Sequence, residues 1–154
     1  GALLEGIKIS SGEILFVTDA DCKVSKTWIK TIVKMFDEHT GLSGGFTFIE
    51  SNEKSNWWPA SQTLELMFLQ AVAFVCAKLN RPVSWLGNNL AFRRSAYDEV
   101  GGFENLDETL VEDYALINAI RQRTNWKARF CLDTAAVVKS QPVGRQRAYS
   151  HDHI

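Results

Sequence analysis

Apolar positions along the chain change their period several times, and each change predicts an element. Leu3, Leu4 and Ile7 share one face of a short helix that the turn residues Ser10, Ser11 and Gly12 end. Residues 14–17, Ile-Leu-Phe-Val, form a continuous apolar run instead of an alternating one, which predicts a parallel strand covered on both faces. The run stops at Thr18-Asp19-Ala20-Asp21, so two acids stand at the carboxyl end of the strand. Across residues 25–39, Trp28, Ile29, Ile32, Val33 and Phe36 recur at helical spacing, with Lys26, Lys30 and Lys34 opposite and Gly41 as the stop. Phe46 and Phe48 alternate with Thr47 and Ile49 behind Gly44-Gly45, a strand signal. Strand, helix, strand in this order argues for an α/β sheet.

Residues 64–79 are apolar on nearly every face, broken only by Glu65, Gln70 and Lys78, and are shorter than the roughly 20 residues a bilayer span needs. A core helix is the first reading. An interfacial helix, with Trp57 and Trp58 at headgroup level, is the second, and a membrane span the third. After Arg81-Pro82, residues 90–93 predict a strand, and a short helix from Ser95 closes at Gly101-Gly102. A further helix starts near Glu112 and turns Ala115, Leu116, Ala119 and Ile120 inward. Residues 128–132 and 135–138 predict late strands, and residues 141–154 are polar.

With 154 residues, 45% hydrophobic and 23% charged, the chain reads as one globular domain large enough to bury a core without disulfides. Seventeen Lys and Arg against eighteen Asp and Glu leave a formal charge of −1, so no global field attracts nucleic acid, and any anion site must be local. Cys22, Cys76 and Cys131 show neither zinc nor redox spacing and read as small core residues in a reducing compartment. Opening on Gly1-Ala2-Leu3, without an initiator Met or a secretory signal, the sequence reads as a piece of a longer protein.

The chemistry concentrates in a few places. Asp19-x-Asp21 closes a buried strand, at the edge where open α/β sheets bind ligands, and two adjacent acids there call for a positive partner. A hard divalent ion shared with diphosphate oxygens meets that need, although two solvated turn acids spell the same motif. Glu112-Asp113 sits in the first turn of a predicted helix, where the dipole favours carboxylates and where a base can be held toward a hydroxyl. Gly87-Asn88-Asn89 offers amides and close backbone approach to a hydroxyl-rich ligand, or simply a turn; Trp85 beside it suits a sugar face or the core. His151 and His153, at the chain end, read as uninvolved in metal binding.

Taken in order, the segments 12–22 (GEILFVTDADC), 87–94 (GNNLAFRR), 101–103 (GGF) and 111–113 (VED) resemble the successive signatures of family 2 glycosyltransferases over about residues 1–140. The resemblance implies a GT-A fold, a Rossmann-like mixed α/β sheet flanked by helices, here without its N-terminal nucleotide-binding strand. It implies residues 1–140 as a partial catalytic domain and residues 141–154 as a polar segment leading onward. The implied reaction is inverting transfer of a sugar from a nucleotide-diphosphate sugar to an acceptor hydroxyl, with Mg²⁺ or Mn²⁺. Carried over by position, Asp19 and Asp21 of the DXD pair would bind the nucleotide sugar, Asp21 as the metal ligand. Asp113 would be the general base with Glu112 in support, and Trp85, Gly87, Asn88 and Asn89 would border acceptor and donor sugar. The partners implied are a saccharide or lipid acceptor and no nucleic acid, with the parent protein in the cytoplasm or on the cytoplasmic face of a membrane.

Two departures qualify the resemblance. The first strand and acidic loop that hold the nucleotide base precede the matched region, so the isolated chain is expected to be inactive. Gln146-Arg147-Ala148-Tyr149 lacks the Arg and Trp of the Gln-x-x-Arg-Trp motif found in processive polysaccharide synthases. The competing readings are a haloacid-dehalogenase-like phosphohydrolase, against which Lys23 stands where Thr or Val is expected, and a non-catalytic remnant or docking module.

Overall fold

Two apolar cores, one on each face of a four-stranded sheet, organise the chain. The computed structural model describes residues 2–50, 57–79, 81, 87–106 and 112–141, with the backbone alone for residues 2, 57–59 and 112. In chain order the elements are α1 (Ala2–Ile9), β1 (Ile14–Val17), β2 (Lys23–Val24), α2 (Trp28–Val33), β3 (Thr40–Gly45), β4 (Thr47–Ile49) and α3 (Trp57–Lys78). They continue with β5 (Leu90–Arg93), α4 (Arg94–Glu99), α5 (Glu112–Arg123), β6 (Lys127–Cys131) and β7 (Val138–Ser140). The larger sheet runs β1-β5-β3-β6 and the smaller one β2-β7-β4. This is a mixed α/β architecture with helices on both sides.

Alternation through the sheet builds the cores. Leu15, Leu42, Leu90, Phe92 and Ala128 face α1, α3, α4 and α5, meeting Ile7, Ala73, Tyr97, Leu116, Ile117 and Ile120. Ala91 and Cys131 face the other way, onto Trp28 and Ile32 of α2 and Val138 of β7, with Ile14 and Phe16 packed alongside. Covering on both faces is what makes residues 14–17 continuously apolar. The expectation of parallel pairing is corrected: β1 pairs antiparallel with β5, and the parallel pairs are β3 with β6 and β4 with β7. A continuous apolar run reports two-sided burial, which either pairing direction satisfies.

Register decides where the ligand edge lies. Val17 is opposite Leu90, Gly44 is opposite Leu90, and Gly45 is opposite Cys131. The end of β1, the start of β5 and the ends of β3 and β6 therefore form one rim. Asp19 leaves β1 at that rim, and the 3₁₀ turn Gly87–Asn89 enters β5 there.

Several elements differ from the sequence pattern. Helix α2 is confined to Trp28–Val33, short of the expected 25–39, because Asp37 closes a local turn: its carboxylate accepts from Thr40 Oγ1 at 2.7 Å and from His39 N at 3.0 Å. Strand β3, Thr-Gly-Leu-Ser-Gly-Gly, is absent from the pattern because its small residues answer to neighbours. A Cβ on Gly41 would stand 2.6 Å from the Trp126 Cβ, and one on Gly45 would stand 3.1 Å from Asn89 Nδ2. The late strand expected at 135–138 divides into a 3₁₀ turn at Thr134–Ala136, capped by the Asp133 carboxylate on Ala135 N, and β7 beyond it. Helix α3 also overturns its first reading: Leu64, Met67, Phe68, Leu69, Val72 and Val75 are all exposed, so it is not a core helix.

Candidate active site

At the rim the chain leaves β1 and turns tightly, with Cys22 N donating to Asp19 O at 3.1 Å. The turn gathers Asp19, Asp21 and Cys22 so that one ligand atom from each lies within 4.8 Å of the others. Burial raises the Asp19 carboxyl above its usual range, and the negative charges of Asp21 and then Asp113 push it further. Asp113 thus acts on Asp19 electrostatically across more than ninety residues of sequence. The Cys22 thiol donates to Asp21 Oδ1 at 3.7 Å. Burial raises its pKa, with Asp21 and Asp19 adding to the effect and a hydrogen bond with Ser140 opposing it. Cys22, expected in the core, is a half-buried thiol beside the acids, whereas Cys131 does lie in the core.

Helix α5 delivers Asp113 in its first turn, where the carboxylate accepts from Tyr114 N at 3.1 Å. The side chain packs onto the backbone of Gly87: a Cβ built there would meet Asp113 Oδ2 at 2.5 Å. This is the physical need for glycine at that position, since any larger residue would displace the acid. The 3₁₀ turn and the helix start are therefore fitted to each other.

The two asparagines divide their work. Asn88 is half-buried, and its Oδ1 accepts from Thr47 Oγ1 at 2.8 Å. Asn89 is 1% exposed; its Oδ1 accepts from Trp28 Nε1 at 3.0 Å, while its Nδ2 donates to Phe46 O at 2.9 Å and to Ala136 O at 3.0 Å. The expectation that Asn89 borders the sugar is corrected on this geometry, because its carboxamide is sealed in and fully engaged by the scaffold. Trp85 and the side chain of Glu112 lie outside the described residues, as do His151, His153 and the 146–149 segment. Thr47, which holds Asn88, went unmarked in the sequence; alternation placed it on a strand, and nothing local connects it to residue 88.

Glu50 belongs to a neighbouring charge cluster on the smaller sheet. Lys139 hydrogen-bonds it at 2.8 Å and, with Lys23 at 3.4 Å, lowers its carboxyl below the usual range.

The sequence profile of glycosyl transferase family 21 matches residues 1–147. The chain belongs to this family. The motif order resembles family 2, and the matching description is family 21; the glycosyltransferase character is common to both readings. Two beta-monoglucosyldiacylglycerol synthases, of Trichormus variabilis and of Nostoc sp., are each 28% identical over 116 residues, covering 75% of this family 21 chain and 24% of the relative. The chain spans about a quarter of the length of these curated relatives. A mannosyltransferase from Pyrobaculum calidifontis, solved in complex with GDP-Man and Mn²⁺, superposes with a TM-score of 0.64 at 18% identity, over 94% of this chain and 36% of that one. The likeness identifies the GT-A fold.

Proposed function

We propose that this family 21 chain carries the catalytic rim of an inverting glycosyltransferase that moves a sugar from a nucleotide-diphosphate donor to a lipid hydroxyl. One observation carries the reading: Asp113, more than ninety residues further along the chain, joins burial and the neighbouring Asp21 in raising the Asp19 carboxyl at the rim where the Asp19–Cys22 turn leaves the sheet. The relatives named as diacylglycerol glycolipid synthases support a lipid acceptor, and the mannosyltransferase solved with Mn²⁺ supports a divalent cation. The membership leaves the phosphohydrolase reading without support.

The donor set fits such a cation. Asp19 and Asp21 offer hard carboxylate oxygens on one turn, with the Asp19 carboxyl raised first by burial and then by the charges of Asp21 and Asp113. A bound Mg²⁺ or Mn²⁺ would supply positive charge to the departing diphosphate. Asp21 is the assigned ligand, with Asp19 beside the donor's ribose and diphosphate. Asp113 takes the proton from the acceptor hydroxyl as that oxygen bonds to the anomeric carbon. The bond from that carbon to the diphosphate breaks on the opposite face, so configuration inverts, and the nucleotide diphosphate leaves with the electron pair. Gly87 keeps the base in place, Asn88 lies at the sugar, and Trp85 and Glu112 complete the assigned set. The parent protein works at the cytoplasmic face of a membrane in this reading.

The test is turnover of UDP- and GDP-sugars with Mn²⁺ and diacylglycerol by the full-length parent. Asp21→Asn is expected to abolish Mn²⁺-dependent transfer, and Asp113→Asn to lower kcat by roughly 100-fold or more with donor affinity nearly unchanged. Unchanged turnover in either variant overturns its assignment, and a parent that transfers no sugar from any donor leaves the docking-module reading.

A further inference from the structure

Helix α3 is built inside out. Its protein-facing side carries Gln70, Ala73 and Ala77, all buried, while Leu64, Phe68, Val72, Val75 and Leu79 follow one another along the solvent side. Leu64 is 71% exposed, and Phe68 and Leu79 are 69% exposed. A surface helix in water places its large apolar residues inward and its polar ones outward, the reverse of this arrangement. The stripe runs about 22 Å at the helical rise.

Composition and length alone would let Ala60–Lys78 cross a membrane. Its packing does not. Gln70 Oε1 accepts from Thr47 N and Gln70 Nε2 donates to Thr47 O at 2.9 Å, holding the helix against β4 as a further strand would. Ala73 and Ala77 belong to the main core. The helix is therefore fixed lengthwise along the protein, with its apolar side outward.

Charge identifies what that side meets. Where α3 ends, a cleft of 390 Å³ opens between it and β6, lined in part by Met35, Lys78, Lys127, Arg129 and Phe130. Arg129 is paired with Asp37, but among the described residues neither Lys78 nor Lys127 has a carboxylate within ion-pair distance. Two exposed ammonium groups flank one end of the apolar stripe and the exposed Glu65 stands at the other, so the basic end, at Lys78 and Lys127, is the one suited to anionic headgroups. Toward its other half, the Gln70 to Thr47 bonds and the Thr47 to Asn88 bond connect the helix to the turn that carries Gly87 and abuts Asp113.

We propose that the outer face of α3 docks on an anionic bilayer, with Leu64, Phe68, Val72, Val75 and Leu79 among acyl chains and Lys78 and Lys127 against headgroup phosphates. The inference extends the lipid-acceptor reading and rests on it for its purpose, since docking sets the catalytic rim beside the layer that holds the acceptor. Co-sedimentation of the 154-residue protein with phosphatidylcholine vesicles, with and without phosphatidylglycerol, tests it without any donor. The protein is expected to bind the mixed vesicles and to lose at least tenfold in affinity on vesicles without phosphatidylglycerol or at high salt. Lys78→Glu with Lys127→Glu is expected to weaken binding by roughly tenfold or more. Phe68→Asn with Val75→Asn, both at exposed positions, is expected to abolish binding while circular dichroism and Tm stay unchanged. Vesicle binding that ignores the apolar pair overturns the proposal. So does a vesicle-free dimer that Phe68→Asn converts to monomer, because a second copy then covers the face. Binding without nucleotide-sugar turnover in the parent sinks the transferase reading alone; turnover without vesicle binding sinks the docking alone.

Discussion

Asp19 is where the site's electrostatics can be weighed against its stability. Its carboxyl is raised in the folded chain, so ionisation costs more there than in the unfolded chain. Its contribution to stability is present while Asp19 stays protonated at low pH and is lost as pH rises through the elevated folded value. Removing the charge should therefore help at neutral pH. Because the side chain is exposed, solvent screening keeps the effect to about 0.3–0.5 kcal/mol, and Asp19→Asn is expected to raise Tm by about 1 °C at pH 7 and not at pH 3. Differential scanning calorimetry at the two pH values decides it, and a lower Tm at pH 7 would contradict the cost of ionising Asp19 at this place, set by burial first and by Asp21 and Asp113 after it. Gly87 is the counterpart that concerns position instead of charge. Gly87→Ala forces its Cβ into Asp113 Oδ2 while leaving the backbone allowed, so the fold should persist. Transfer by the parent is expected to fall by roughly 100-fold, the usual cost of a misplaced catalytic group; near-normal kcat would show that Asp113 does not need its place.

Among elements, β3 is the most instructive. Its six residues are all buried, and three are glycine, so side-chain preference, which only Thr40 supplies, is too weak to drive a strand. Pairing with β5 on one side and β6 on the other imposes the conformation, and close neighbours impose the glycines. Gly41→Ala is expected to destabilise the chain by about 1–3 kcal/mol, read from the urea midpoint, because Trp126 must move off the strand. A change below about 0.5 kcal/mol would mean that the backbone carrying Trp126 shifts at little cost to admit the methyl, within the range of an ordinary surface change. Helix α3 teaches the opposite lesson: its sequence is plainly helical, yet only packing against β4 shows which side faces the protein.

At the scale of the whole molecule, Asn89 joins what would otherwise be separate layers. One carboxamide connects α2 through Trp28, the β3 to β4 junction through Phe46, and the approach to β7 through Ala136. Both sheets and the second core therefore depend on it. Asn89→Ala leaves the buried Trp28 indole N–H and the Ala136 carbonyl without their partner, while Phe46 O keeps Val138 N, an expected loss of about 2–4 kcal/mol in equilibrium unfolding. A loss near 1 kcal/mol would mean water or rearrangement satisfies those groups.

Whatever depends on local period and local chemistry can be read from the order of the amino acids alone. The apolar run at 14–17, the acids that end it, the helix that opens at Glu112 and the strand at 90–93 are all legible, because each follows from side chains within a few residues of one another. Motif order carried the glycosyltransferase resemblance for the same reason. Tertiary structure decided the rest: the antiparallel partner of β1, the strand made of glycines, the outward face of α3, the structural employment of Asn89, and the mutual approach of Asp19 and Asp113. Each of these is a contact between distant segments, set by register and shape complementarity in three dimensions, and hydrophobic patterning along a chain carries no record of which segments will meet.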